Sequence, residues 1–129
     1  MKGQHRVLSL LAWLALCLLL VGCEQESYTI ENYTMDEGVD YWTASYETFD
    51  GNMIRELEVS GAGEHAFTIE TVTESGTIGV EMRGIDGIRY YEGEDLGTDT
   101  VVLYTDGPGR FVFEVIAEDH SGSFSIRGA

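Results

Sequence analysis

Beyond position 23 this chain has no lysine. Its only basic residues there are Arg55, Arg83, Arg89, Arg110 and Arg127, set against all 23 Asp and Glu residues, so residues 23–129 carry a formal charge of −18. A surface of that sign repels nucleic acid and anionic lipid head groups, and it lacks the basic patch that nucleic-acid binding requires. Cysteine is nearly as scarce, Cys17 and Cys23 being the only two, with Cys17 inside a long apolar run. One thiol with no histidine close to it gives little support to a metal site built on cysteine. No Gly-x-Ser-x-Gly elbow is present to expose a nucleophilic serine. Leucine is sparse from Val39 onward (Leu57, Leu96, Leu103), while Thr, Val, Ile, Tyr and Phe are plentiful. That balance favours pleated surfaces over helices.

The N-terminus is organised differently. Lys2, His5 and Arg6 form a short basic start, and Val7 to Leu20 is almost unbroken Leu, Ala, Val and Trp. A charged n-region followed by an apolar h-region is the pattern of a signal peptide. Counted to Gly22, the run is shorter than the ~20 residues of a comfortable membrane span. It ends in Leu20-Val21-Gly22-Cys23, then turns at once to Glu24, Gln25 and Glu26. Those four residues resemble the bacterial lipobox. The resemblance implies that Cys23 receives a diacylglyceryl thioether, becomes the first residue of the mature chain, and holds the protein on the extracytoplasmic side of the cell membrane. Two acyl chains suffice for stable attachment, at about 0.8 kcal/mol per buried methylene. Once residues 1–22 are removed, Cys23 is the only thiol, so no disulfide can form within the chain. The alternative is an uncleaved apolar anchor over the same run.

Residues 23–38 read as the lipidated cysteine and an acidic tether, although Tyr28, Ile30, Tyr33 and Met35 also fit an edge strand. Residues 39–129 read as one β domain. Trp42, Ala44 and Tyr46 alternate with Thr43, Ser45 and Glu47; Phe67 and Ile69 with Thr68 and Glu70; Ile78, Val80 and Met82 with Gly79, Glu81 and Arg83. Phe111, Phe113 and Val115, then Phe124 and Ile126, continue the pattern. One dry face and one wet face is the mark of a half-buried strand. Turn chemistry falls between the runs: Asp50-Gly51, Glu74-Ser75-Gly76, Asp86-Gly87, Gly107-Pro108-Gly109-Arg110 and Asp119-His120-Ser121-Gly122. Asp-Gly suits a type I′ hairpin, and proline then glycine suits a type II turn. The spacing predicts about eight strands, near 41–49, 53–60, 65–73, 77–83, 87–92, 100–105, 110–117 and 122–127, in an antiparallel β-sandwich or jelly roll.

Three stretches carry a further resemblance: YWTASYETFDG, FTIETVTESGTIGVEMRGIDG and GRFVFEVIAEDHSGSFSI. In this order they resemble a group of small secreted β-sandwich lipoproteins of clostridia and their relatives, across most of residues 41 to 127. The terminal part also resembles jelly-roll modules appended to secreted bacterial peptidases. Both likenesses imply fold and location and bring no catalytic residues.

Candidate site residues are few. His65 and His120 follow Glu64 and Asp119 and fall at strand ends or turns, where exposed histidines are common, and carboxylate pairs are too abundant to mark a hydrolytic site. The expectation is therefore a protein without catalytic residues. Glu92, Glu94, Asp95 and Asp99 make a carboxylate-dense loop, readable as a calcium site or as solvated surface, since calcium takes six to eight oxygens at flexible distances. No other cofactor is indicated. The pairs Tyr41-Trp42 and Tyr90-Tyr91 offer a sugar or peptide face, because alternation turns one member of each outward; edge packing explains them equally. The composite expectation is a lipid-anchored, non-enzymatic accessory or binding module at the cell envelope. Its alternatives are an adaptor docking another envelope protein and a calcium- or carbohydrate-binding module.

Overall fold

A computed structural model describes residues 25–129. The signal-peptide reading and Cys23 lie outside the described residues. The described residues form seven antiparallel strands: β1 (Ser27–Glu31), β2 (Thr34–Glu37), β3 (Tyr41–Val59), β4 (His65–Gly84), β5 (Arg89–Gly93), β6 (Asp99–Thr105) and β7 (Gly109–Gly128). Among the described residues no helix is long and apolar enough to cross a membrane.

Three strands are about twice the expected length, because three of the expected turns are bends. Residues 41–46 and 53–59 of β3 both pair with β7, from Tyr46↔Gly122 through to Met53↔Val115, with register shifts on either side of Phe49. β4 bends likewise between Thr73 and Thr77. The positive φ angles of Gly51, Gly76, Asp119 and Gly122 are spent on bulges within continuous strands. A bulge inserts an unpaired residue and increases local bend and twist. It also reverses the parity of the inward face: Trp42, Ala44 and Tyr46 give way to Phe49, Met53, Leu57 and Val59, and Phe67 and Ile69 give way to Ile78, Val80 and Met82. Close contact reinforces two of these bends. A side chain at Gly51 would meet the Ser27 carbonyl oxygen at 2.1 Å, and one at Gly122 would meet that of Val72 at 1.9 Å.

The bends fold the sheet into a two-layer sandwich. One layer is β2, residues 41–46 of β3, 122–128 of β7, 65–73 of β4, and β6; the other is β1, residues 49–59, 109–118 and 77–84 of the same long strands, and β5. The layers meet through one apolar core. Phe67 of the first lies 4.9 Å from Phe113 and 5.5 Å from Phe111 of the second, both edge-on. The Arg55 guanidinium closes the β1/β2 side, seated 5.3 Å over the Trp42 ring and bound to Glu26 and Glu37. The sandwich is therefore as expected, and several details are not. Residues 27–31 and 34–37 pair with β3 as edge strands, the alternative to the tether reading. Asp86-Gly87 does turn the β4–β5 hairpin, with Gly87 donating to the Gly84 carbonyl. Gly109, however, opens β7 without the positive φ of a type II turn.

Candidate functional site

β5 and β6 are the edge strands of opposite layers, both paired with β4 on the same side of the sandwich. Between them, under the β6–β7 loop, lies an open cleft of about 430 Å³. Its floor is Met82 and Phe111, and its walls include Tyr90, Tyr104, Asp106 and Pro108. The volume lies within the ~300–1,000 Å³ common for small-ligand sites. Tyr104 is 72% exposed and Tyr90 56% exposed, though a tyrosine ring without a partner gains by burial. The Tyr90 ring is held edge-on to core Phe111 at 5.7 Å and passes so close over Gly84 that a side chain there would reach it at 3.0 Å. The loop is fixed as well, since the buried Thr105 hydroxyl donates to the Gly107 carbonyl at 2.9 Å. Asp106 is exposed beside these groups.

A second groove, of about 340 Å³, lies over Gly79 on the outer face of the other end of β4. Exposed Ile116 and the carboxylates of Glu92, Glu94, Asp95 and Glu118 border it. Three of the four residues read as a calcium site or as solvated surface are here. Glu92 is paired with Arg89 at 2.7 Å, and Asp99 turns back to accept from the Gly97 N–H at 2.8 Å. Among the described residues no three His, Cys, Asp or Glu side chains are grouped to hold a metal. The spacing packed carboxylates along the chain; the strand and its turn then sent them in different directions.

The two aromatic pairs, each expected to turn one ring outward, do not share a face. Trp42 is fully buried in the core. Tyr41 is half-buried on the other layer, donating to the Asp36 carboxylate at 3.3 Å with Arg127 5.7 Å from its ring. The Asp36 charge and local burial raise the Tyr41 phenol above its usual range. Tyr91 turns inward against the core. Only Tyr90 of the four reaches the cleft, and its partner there is Tyr104. A signal for Tyr104 exists in the sequence: Val101, Val102, Leu103 and Tyr104 put apolar groups on both faces of a short strand.

His120 also departs from expectation, being fully buried where an exposed turn histidine was predicted. Its Nδ1 lies 2.6 Å from the Tyr46 hydroxyl and its Nε2 2.8 Å from the Thr73 hydroxyl. The Thr73 hydroxyl also faces the carbonyls of Leu96 at 3.0 Å and Gly97 at 3.3 Å. Carbonyls only accept, so Thr73 donates to them and accepts from Nε2–H, leaving Nδ1 to accept from Tyr46. A neutral imidazole satisfies every member. Burial lowers the His120 pKa and raises that of Tyr46. His65 is partly buried, with its ring nitrogens at the carbonyls of Gly61 and Ala129, 2.9 Å and 3.2 Å away.

No family model matches the chain, and no curated protein matches it. Among solved structures it is similar to TmCBM61, solved in complex with β-1,4-galactotriose, at 15% identity over 82% of this chain and 88% of that one, with a TM-score of 0.43. It is similar to the xylan-binding module CBM86 from Roseburia intestinalis at 16% identity over 81% and 86%, with a TM-score of 0.38. It is also similar to CBM6cm-2 of Cellvibrio mixtus lichenase 5A, solved with cellotriose, at 13% identity over 81% and 88%, with a TM-score of 0.39. Likeness at this level assigns the chain neither a family nor a ligand.

Proposed function

We propose that this protein is a lipid-anchored, extracytoplasmic β-sandwich that binds a glycan in the Tyr90–Tyr104 cleft. The observation that carries the reading is the pair of exposed tyrosines, on the edge strands of two different layers, beside an exposed carboxylate. Aromatic faces present apolar area to the C–H faces of a sugar ring, while a carboxylate accepts hydrogen bonds from its hydroxyls. The site is preformed, because Tyr90 is held by Phe111 and the loop by Thr105, so little ordering cost falls on binding. Replacing Tyr104 with alanine removes one platform from an exposed edge position. Its affinity for any glycan retained by the native protein should fall at least ~10-fold, as for an aromatic hot spot, with little change in melting temperature. Calorimetric titration of both proteins checks this. Equal affinities would remove the cleft from consideration.

The location rests on Leu20-Val21-Gly22-Cys23. Cys23→Ser leaves the apolar run intact and removes the thiol that accepts the lipid. The native chain should incorporate labelled fatty acid and partition into detergent, and the variant should do neither. Cys17→Ser, within the discarded segment, should behave as the native chain. Labelling of the Cys23→Ser protein would instead favour an uncleaved anchor.

A further inference from the structure

We infer that the cleft selects uncharged glycans, with Asp106 as the acceptor that sets this preference; the inference rests on the glycan-binding reading above. The argument begins with where the positive charge is. A uronate, sulfated or sialylated glycan needs a cation to receive its anion, and planar guanidinium is the group best suited to carboxylate. Beyond residue 23 the only candidates are the five arginines. None of them lines the cleft. Four are already engaged by carboxylates: Arg55 by Glu26 and Glu37, Arg83 by Glu81 and Glu114, Arg89 by Glu81 and Glu92, and Arg110 by Glu56. The fifth, Arg127, lies over Tyr41 on the outer face of the first layer. An anionic sugar entering the cleft would therefore meet Asp106 directly, within the field of a chain whose residues 23–129 carry a formal charge of −18.

An uncharged sugar meets the opposite situation. Asp106 is an exposed acceptor on the cleft wall, at the start of a loop whose shape is fixed by Thr105. Charge-assisted hydrogen bonds from sugar hydroxyls to a carboxylate are roughly twice as strong as neutral ones. The same group thus attracts a polyol and repels an acid. The sign of the Asp106→Asn effect follows from this and differs between the two ligand classes.

The test is retardation of the full chain, in non-ionic detergent, on native gels containing single polysaccharides. One set is neutral (galactan, xylan, glucan, mannan). The other is acidic (polygalacturonate, a sulfated galactan), with carboxyl-reduced polygalacturonate as a matched neutral control. At least one neutral polymer should retard the native protein, equally at low and high salt. Tyr104→Ala should lose that retardation, Asp106→Asn should weaken it by about tenfold, and no acidic polymer should retard the chain. Retardation by an acidic polymer that is lost in Tyr104→Ala and strengthened in Asp106→Asn would overturn the inference while leaving the cleft a glycan site. Retardation by no polymer, or retardation that Tyr104→Ala leaves intact, would overturn the glycan-binding reading itself and the inference with it.

Discussion

Phe113→Ala should lower the stability of the domain by about 3–5 kcal/mol, the usual cost of deleting a buried phenylalanine. Phe113 has no solvent exposure, packs 4.9 Å from Phe67 across the two layers, and pairs along its own layer with Arg55 on one side and Met82 on the other. The substitution leaves a cavity at the point where the layers meet. The bends at Gly51, Gly76 and Gly122 fix the spacing of the layers, so the walls cannot collapse freely to fill it. A domain of this size typically has a total stability of ~5–15 kcal/mol and loses ~4–8 °C in melting temperature per kcal/mol. The expected fall is therefore about 12–40 °C. Val112→Ala, on the opposite face of the same strand, should cost under about 1 kcal/mol. Denaturant unfolding of the two variants checks the contrast, and equal losses would mean that the faces have been assigned the wrong way round.

Acidification between pH 7 and 5 should destabilise the protein, through His120. Its folded pKa is lowered by burial, so the unfolded chain takes up the proton more readily than the folded one. The sign follows: this contribution is fully present above the unfolded value near 6.5 and is lost as the pH falls from there through the lower folded value. One proton gives a slope of at most ~1.4 kcal/mol per pH unit. Charge repulsion works the other way, since neutralising carboxylates relieves the formal charge of −18 on residues 23–129. Among the described residues Tyr46 is the one titratable group in hydrogen-bond contact with the imidazole; Asp50 and Asp119 beside it on β3 and β7, Glu74 on β4 and Asp99 beyond the Leu96-Gly97 loop are all exposed. Protonation would put a hydrogen on Nδ1 against the Tyr46 hydroxyl and strand the tyrosine's own proton in the core. His120→Phe should abolish the slope and cost about 1–3 kcal/mol at pH 7, because it leaves the Tyr46 hydroxyl buried without a partner. His65→Gln should keep the slope. A slope that survives in His120→Phe would assign it elsewhere.

The sequence made the β-sandwich legible because alternation is a direct record of burial, and the core residues named by it are buried. What it left open was the meaning of a parity change. Trp42, Ala44 and Tyr46 face inward at even positions and Met53, Leu57 and Val59 at odd ones, and a hairpin turn and a bulge produce the same shift. Asp50-Gly51 supplies the positive φ that either device needs, so local chemistry favoured the turn. The decision was tertiary: both halves of β3 find the same partner in β7. His120 follows from the same parity, since it belongs with Phe124 and Ile126 on the inward face rather than to a turn between strands.

The site was less legible, for a physical reason. Adjacent aromatics in a strand point to opposite faces, so Tyr90-Tyr91 and Tyr41-Trp42 could each place only one ring outward. The ring that Tyr90 shares its cleft with, Tyr104, is 14 residues away on the edge strand of the other layer. Only the pairing of β5 and β6 with different parts of β4 brings the two together. The acidic loop was open between two readings for the complementary reason: carboxylate density along the chain says nothing about convergence, and Asp99 turns away to the Gly97 N–H.

The most direct measurement is a two-dimensional ¹H–¹⁵N NMR titration of the chain with a short oligosaccharide of whichever polymer retards it. Amide shifts confined to Arg89–Tyr91 and to residues 102–108, absent in Tyr104→Ala, are the predicted result. Shifts centred on Gly79, Ile116 and Glu118, with the cleft resonances unmoved, would place the ligand in the acidic groove and contradict the account.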